Sequence, residues 1–176
     1  ANLRRLESEA IRDAVLQSAG VLNPERGGRG FFPPVAGEGV AGASRPGRNW
    51  EWSPREQQRR RSVYVFVKRT MLYPLFEIFD YTNTEGSLGV RPITTVAPQA
   101  LLLLNSEFVA ENAAILAEKA GAQPDPVSAA FRMVLGRNPS GEERELAESF
   151  LADQEDRQVA LTRRVTFRPD YPPALY

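Results

Sequence analysis

Histidine and cysteine are both missing from the 176 residues. Without cysteine there is no disulfide, thiolate nucleophile, iron–sulfur ligation or covalent haem attachment. Without histidine the usual general base near neutral pH and the commonest metal ligand are gone. Serine–histidine triads, ordinary zinc sites and histidine-ligated haem are therefore excluded. Net charge is also lacking: 22 Lys and Arg balance 22 Asp and Glu. A general nucleic-acid binder would show a basic excess, so nucleic acid is not an expected partner. No apolar run reaches the 18 or so residues of a bilayer span, and the longest, Val63 to Val67 and Ala100 to Leu104, are far shorter.

What is present reads as helix interrupted by one irregular stretch. Leu3 to Ala19 has apolar residues at helical spacing: Leu3, Leu6, Ala10 and Ala14 form a stripe that Ile11 and Val15 widen. Arg5, Ser8, Glu9, Arg12 and Asp13 are then expected on the solvent face, with Gly20 as a left-handed cap. Residues 23–57 are dense in glycine and proline, so regular structure is not expected there. Phe31, Phe32, Trp50 and Trp52 give that loop two readings: anchored to the domain by its rings, which base rates favour, or presenting them to a ligand.

Arg59 to Thr70 suits a strand, through Val63, Val65 and Val67, and a helix, through Val63, Phe66, Val67 and Thr70, equally well. Leu75 to Phe79 reads as a short helical turn ending at Asp80. Pro98 at a first turn opens a helix running to about Ala120, apolar nearly all round and so expected at the centre of the core. Asp125-Pro126 is a cap followed by a first-turn proline, opening a helix to Leu135. Ser140 and Glu143 form a capping box for the last helix. The expected fold is mainly α: about five helices around the Pro98–Ala120 helix, with the aromatic-pinned loop and one short strand pair. Residues 1–164 are expected as one domain and 165–176 as an extended connector. Ala1 to Leu6 reads as helix interior, not a signal peptide, and the chain reads as a piece of a longer polypeptide.

One stretch carries a family signature: Arg61-Ser62-Val63-Tyr64, Lys68-Arg69, Phe79-Asp80, Arg91, Thr94-Thr95, Ala97-Pro98-Gln99-Ala100-Leu101 and Leu103-Leu104-Asn105. Glu7 to Ala14, Phe131-Arg132, Leu135-Gly136-Arg137 and Pro139 extend it. The pattern resembles the planctomycete-specific domain of unknown function, often found in large proteins with a cytochrome c-type haem domain. The resemblance covers Leu3 to about Leu151. It implies an extracytoplasmic protein, periplasmic or at the cell surface, partnered by other domains or subunits that include a c-type cytochrome. Any haem would belong to such a partner, since this chain offers an iron only Met71 and Met133. Many relatives carry a cysteine between the Phe-Asp pair and the arginine; here that loop reads Gly86-Ser87-Leu88-Gly89.

Three constellations carry chemistry. Glu77 and Asp80 lie three apart beside aromatics, with Asn83 and Glu85 following, as in a glycosidase acid–base pair or a set of calcium ligands. The bland alternative, solvated carboxylates at a helix end with Asp80 paired to Arg69 or Arg91, is favoured. Arg59, Arg60 and Arg61, with Arg55, Lys68 and Arg69, form the one basic cluster; it suits an anion, or ion pairs with Glu51, Glu56 and Asp80. Gln99 and Asn105, polar positions on an apolar helix, are expected to tie down backbone. The favoured function is a non-catalytic structural or interaction module of a larger redox-associated assembly. Arg59, Arg60, Arg61, Arg69, Arg91, Trp50 and Trp52 are its candidate contacts. The alternatives are a carbohydrate-active enzyme using Glu77 and Asp80, and an anion-binding module built on the arginines.

Overall fold

In the computed structural model the described residues are 5–35, 51–68, 72–82, 86 and 88–166. The chain divides into two compact units, Ala1–Glu118 and Lys119–Tyr176. Among the described residues the elements in order are α1 (Ser8–Ser18), α2 (Arg55–Gln58), a 3-10 turn (Ser62–Tyr64), α3 (Pro74–Ile78), α4 (Ala97–Asn105), α5 (Glu107–Gly121), α6 (Pro126–Leu135) and α7 (Gly141–Thr166). The fold is mainly helical, as expected, and no strand forms among these residues. In place of the strand pair are two isolated parallel bridges, Asn23 with Arg60 and Phe31 with Val65.

α1 turns a different face inward from the one its leucines suggest. Ser8, Arg12 and Leu16 are buried and Ala19 continues the row, while Leu6 is 55% exposed and Ala10 and Ala14 face solvent. The buried row has helical spacing too, and a guanidinium can occupy a core position where it satisfies backbone carbonyls. Gly20 closes the helix with φ of 64°, the left-handed cap that its position requires.

α1 packs on the 3-10 turn and on α3, and α3 packs on α4. Between them lies the core: Phe31, Val35, Val65, Tyr73, Leu75, Phe76 and Phe79. Each such apolar side chain contributes about 1.5–3 kcal/mol relative to an exposed position. Over its described part, residues 59–68, the ambiguous stretch resolves into the 3-10 turn followed by extended chain at Val65. The Phe31 N–H donates to Tyr64 O and the Phe66 N–H to Phe31 O, both at 2.8 Å. Gly30 permits this approach, because a Cβ there would stand 3.0 Å from Tyr64 O. Of the loop's rings, Phe31 is buried and Phe32 lies 4.6 Å from Phe66, whereas Trp52 is 62% exposed. Trp50 lies outside the described residues.

The expected Pro98–Ala120 helix is two helices, α4 and α5, bent by 58°. Ser106 between them is extended, at φ −73° and ψ 124°. A straight rod could turn only part of its apolar girth to the core. The bend lets Leu102 and Leu103 of α4 and Phe108 of α5 all pack against it, leaving Leu101 and Leu104 58% and 80% exposed. No single helix among the described residues is long and apolar enough to cross a membrane; α4 and α5 would be so only together, across their bend.

In the second unit α6 packs on α7. Both helices start as their sequences dictate. The Asp125 carboxylate accepts from the Ser128 N–H at 3.0 Å, and Gly136 ends α6 with φ of 68°. At the start of α7 the Ser140 N–H donates to Glu143 at 2.8 Å, while Ser140 Oγ accepts from the Glu143 N–H at 3.2 Å. Arg144 crosses back from α7 to Asp125 at 2.6 Å.

Candidate functional site

The irregular parts of the first unit are held by two buried arginines, each 2% exposed. From α1, Arg12 donates to Gln58 O, to Arg60 O at 3.0 Å and to Ser62 Oγ at 3.2 Å. Its guanidinium lies 5.1 Å from the Phe31 ring centre and 5.4 Å from that of Phe108. Arg60 donates to Gly27 O and to Arg29 O at 2.9 Å, and its guanidinium stands 4.0 Å from the Tyr64 ring centre. Chain without helix or sheet must still find partners for its carbonyls, and here long side chains supply them. Arg12 is poorly compensated by charge: its nearest carboxylate, Asp13, is 4.0 Å away and accepts from the Ser62 N–H at 2.7 Å. The Nε atoms of both arginines lack hydrogen-bond partners among the described residues. Burial lowers the Arg12 pKa, against opposing contributions from Tyr73 and Asp13, and burial likewise raises that of the Tyr73 hydroxyl.

Arg12 forms part of a cleft of about 710 Å³ among the described residues of the first unit. Leu16, Val35, Leu75, Phe108 and Ile115 supply apolar wall; Trp52, Arg55, Arg59, Asn105, Glu111 and Asn112 supply polar or aromatic wall. The Arg55 guanidinium is committed to Glu111 at 2.8 Å. Arg59 has no carboxylate partner among the described residues. In size and lining the cleft has the character of a small-molecule site.

The sequence-predicted residues are dispersed. Arg59 lines the cleft, Arg60 is a buried clamp, and Arg61 is 56% exposed beside Asp13 at 3.6 Å. The three consecutive arginines therefore take three separate roles, and none pairs with Glu51, Glu56 or Asp80. Arg69 lies outside the described residues, as do Asn83 and Glu85. Trp52 reaches the cleft. Arg91 bonds Glu9 at 2.9 Å and Glu7 at 3.3 Å, so it is not the partner of Asp80.

Asp80 pairs instead with Arg5, 2.6 Å away, and accepts the Thr94 N–H at 2.7 Å and the Thr94 hydroxyl. The Thr94 backbone N–H lowers the Asp80 pKa; burial opposes it, while the Thr94 hydroxyl and Arg5 reinforce it. A carboxyl so held stays ionised and unavailable as a proton donor near neutral pH. Its backbone is left-handed, at φ of 58°, which aspartate tolerates better than most residues. Glu77 is exposed on α3, and neither carboxylate lines the cleft. Among the described residues no group of three Asp or Glu converges as a metal site would require. Gln99 does tie down backbone: its amide donates to Ile78 O at 3.1 Å and accepts from the Val96 N–H at 3.4 Å. Asn105 donates to Leu101 O at 2.8 Å.

The residue that sequence reasoning missed is Arg12, assigned to solvent because it is charged. A signal was present: Ser8, Arg12, Leu16 and Ala19 form a continuous helical row. Its partners, 46 to 50 residues away, could not be read from spacing.

The geometry defines a mainly helical protein whose first unit is clamped by buried arginines beside an apolar cleft. The chain belongs to the PSD1 family, proteins of unknown function (DUF1553), which it matches over residues 1–151. No curated protein and no solved structure matches it.

Proposed function

We propose that the chain is a non-catalytic structural and interaction module of a larger extracytoplasmic, cytochrome-linked assembly. The observation that carries this reading is the amount of apolar helix surface left uncovered. On α4, Leu101 and Leu104 are exposed one turn apart; on α7, Leu146 and Phe150, also one turn apart, are 73% and 59% exposed, with Leu151 beside them. Apolar faces of this kind mark surfaces that a partner covers. The resemblance to the planctomycete-specific domain supports a haem-bearing domain or subunit as that partner, and supports the periplasm or cell surface as the place. The carboxylate pair supports the enzyme alternative poorly, because Asp80 is a clamp and Glu77 is solvated.

The test is purification of the natural full-length protein from its source envelope fraction, with mass spectrometry, a haem absorbance scan and a glycan-hydrolysis panel. Co-purification of a cytochrome without glycan cleavage is the expected result. A protein that comes alone and cleaves a glycan, with loss on Asp80→Asn, would overturn the proposal.

A further inference from the structure

The cleft beside Arg12 pairs an apolar body with an excess of positive charge. Its charged lining residues are Arg12, Arg55, Arg59, Glu107 and Glu111. Arg55 and Glu111 neutralise each other at 2.8 Å. Among the described residues Arg59 has no carboxylate partner and the buried Arg12 has one only at 4.0 Å, so two arginines stand against the one remaining lining acid, Glu107. A buried cation is costly unless an anion lies close, and a guanidinium presents donors in the fork that a carboxylate accepts. Around these charges the wall is aliphatic and aromatic, and Trp52 holds a largely exposed indole there, a flat surface on which a planar group can stack. The volume, about 710 Å³, is that of sites for small organic ligands.

We propose that this cleft binds a small organic monoanion, a carboxylate on a flat apolar body, with the carboxylate at Arg59 in the field of Arg12 and the body against Trp52, Leu75 and Ile115. A free phosphate or sulfate would leave the apolar wall unused. A neutral aromatic would leave the unpaired charge uncompensated. The inference is independent of what covers the exposed faces of α4 and α7.

The test is isothermal titration of the whole chain with naphthalene-2-carboxylate and, separately, its neutral analogue naphthalene-2-carboxamide. The expected result is saturable binding of the carboxylate, with the amide roughly tenfold weaker, the loss of one charge-assisted interaction. Arg59→Gln should bring the carboxylate down to the level of the amide. Its side chain makes no hydrogen bond among the described residues, so the fold should survive, as circular dichroism will verify. Ile115→Trp, which fills the cleft from a half-buried position, should abolish both. Absence of carboxylate binding, equal affinity for the two compounds, or binding that persists in Ile115→Trp would each overturn the proposal; the last would place the probe on the exposed helix faces instead.

Discussion

Replacing Arg12 with methionine keeps most of the stem and removes the guanidinium, so it isolates what the clamp contributes. Three acceptors lose their donor: Gln58 O, Arg60 O and Ser62 Oγ. Leaving a buried acceptor unpaired costs about 1 kcal/mol at the low end. The contacts over Phe31 and Phe108 add about 1 kcal/mol between them. Against this, methionine is relieved of the desolvation that burial imposes on a cation, which offsets about 1–2 kcal/mol. The balance is a loss of about 2–3 kcal/mol, a large part of a stability that for ordinary domains is about 5–15 kcal/mol. Urea unfolding followed by circular dichroism measures it. With a slope of about 1–3 kcal/mol per molar, the midpoint of the first unit should fall by about 1–3 M. Arg61→Met, at a neighbouring exposed arginine, should change stability by less than about 0.5 kcal/mol. If Arg12→Met unfolds within about 0.5 kcal/mol of the parent, the carbonyls have other partners and the clamp argument is wrong.

Asp80→Asn keeps the shape of the side chain but loses the charge facing Arg5 and an acceptor for Thr94; unfolding should show a loss of about 1–2 kcal/mol. Stability should also fall in acid. The Glu143 carboxyl is held down to about 2 by hydrogen bonds from Arg137 and the Ser140 N–H, against a reference value of 4.5, and Asp80 is lowered too. A lowered folded-state pKa gives stability that is complete above the unfolded-state value and is lost as pH falls through the folded one. For Glu143 that window runs from about pH 4.5 down to about pH 2. Glu143→Gln should flatten the acid limb measured for α6 and α7 by amide exchange, and an unchanged limb would refute the assignment.

What could be read from sequence was local. The caps at Asp125 and Ser140, the box closed by Glu143 and the left-handed glycine at Gly20 depend on residues within four positions, and all form. What could not be read was long-range. Arg5 reaches Asp80 across 75 positions, and Arg91 reaches Glu9 across 82, so the pairing expected of Asp80 with Arg91 does not form. The break at Ser106 has no glycine or proline to announce it, because it answers to the shape of the core beneath α4 and α5. The inward face of α1 failed for a related reason: polarity implies solvent only until the far chain offers carbonyls to bond. Of the site, Trp52 and Arg59 were legible as exposed chemistry, and the apolar cleft they share with Arg12 was not.

Whether a partner covers the apolar faces of α4 and α7 can be read by side-chain oxidation footprinting of the isolated chain and of the natural full-length protein in its envelope fraction. Leu101 and Leu104 on α4 and Leu146 and Phe150 on α7 are solvent-exposed in the isolated chain and should oxidise readily there. If they belong to an interaction module, their oxidation should fall sharply in the natural assembly while exposed Val63, in the 3-10 turn, reacts equally in both. Equal oxidation of all four in both samples would mean that no partner covers these faces, and would contradict the account.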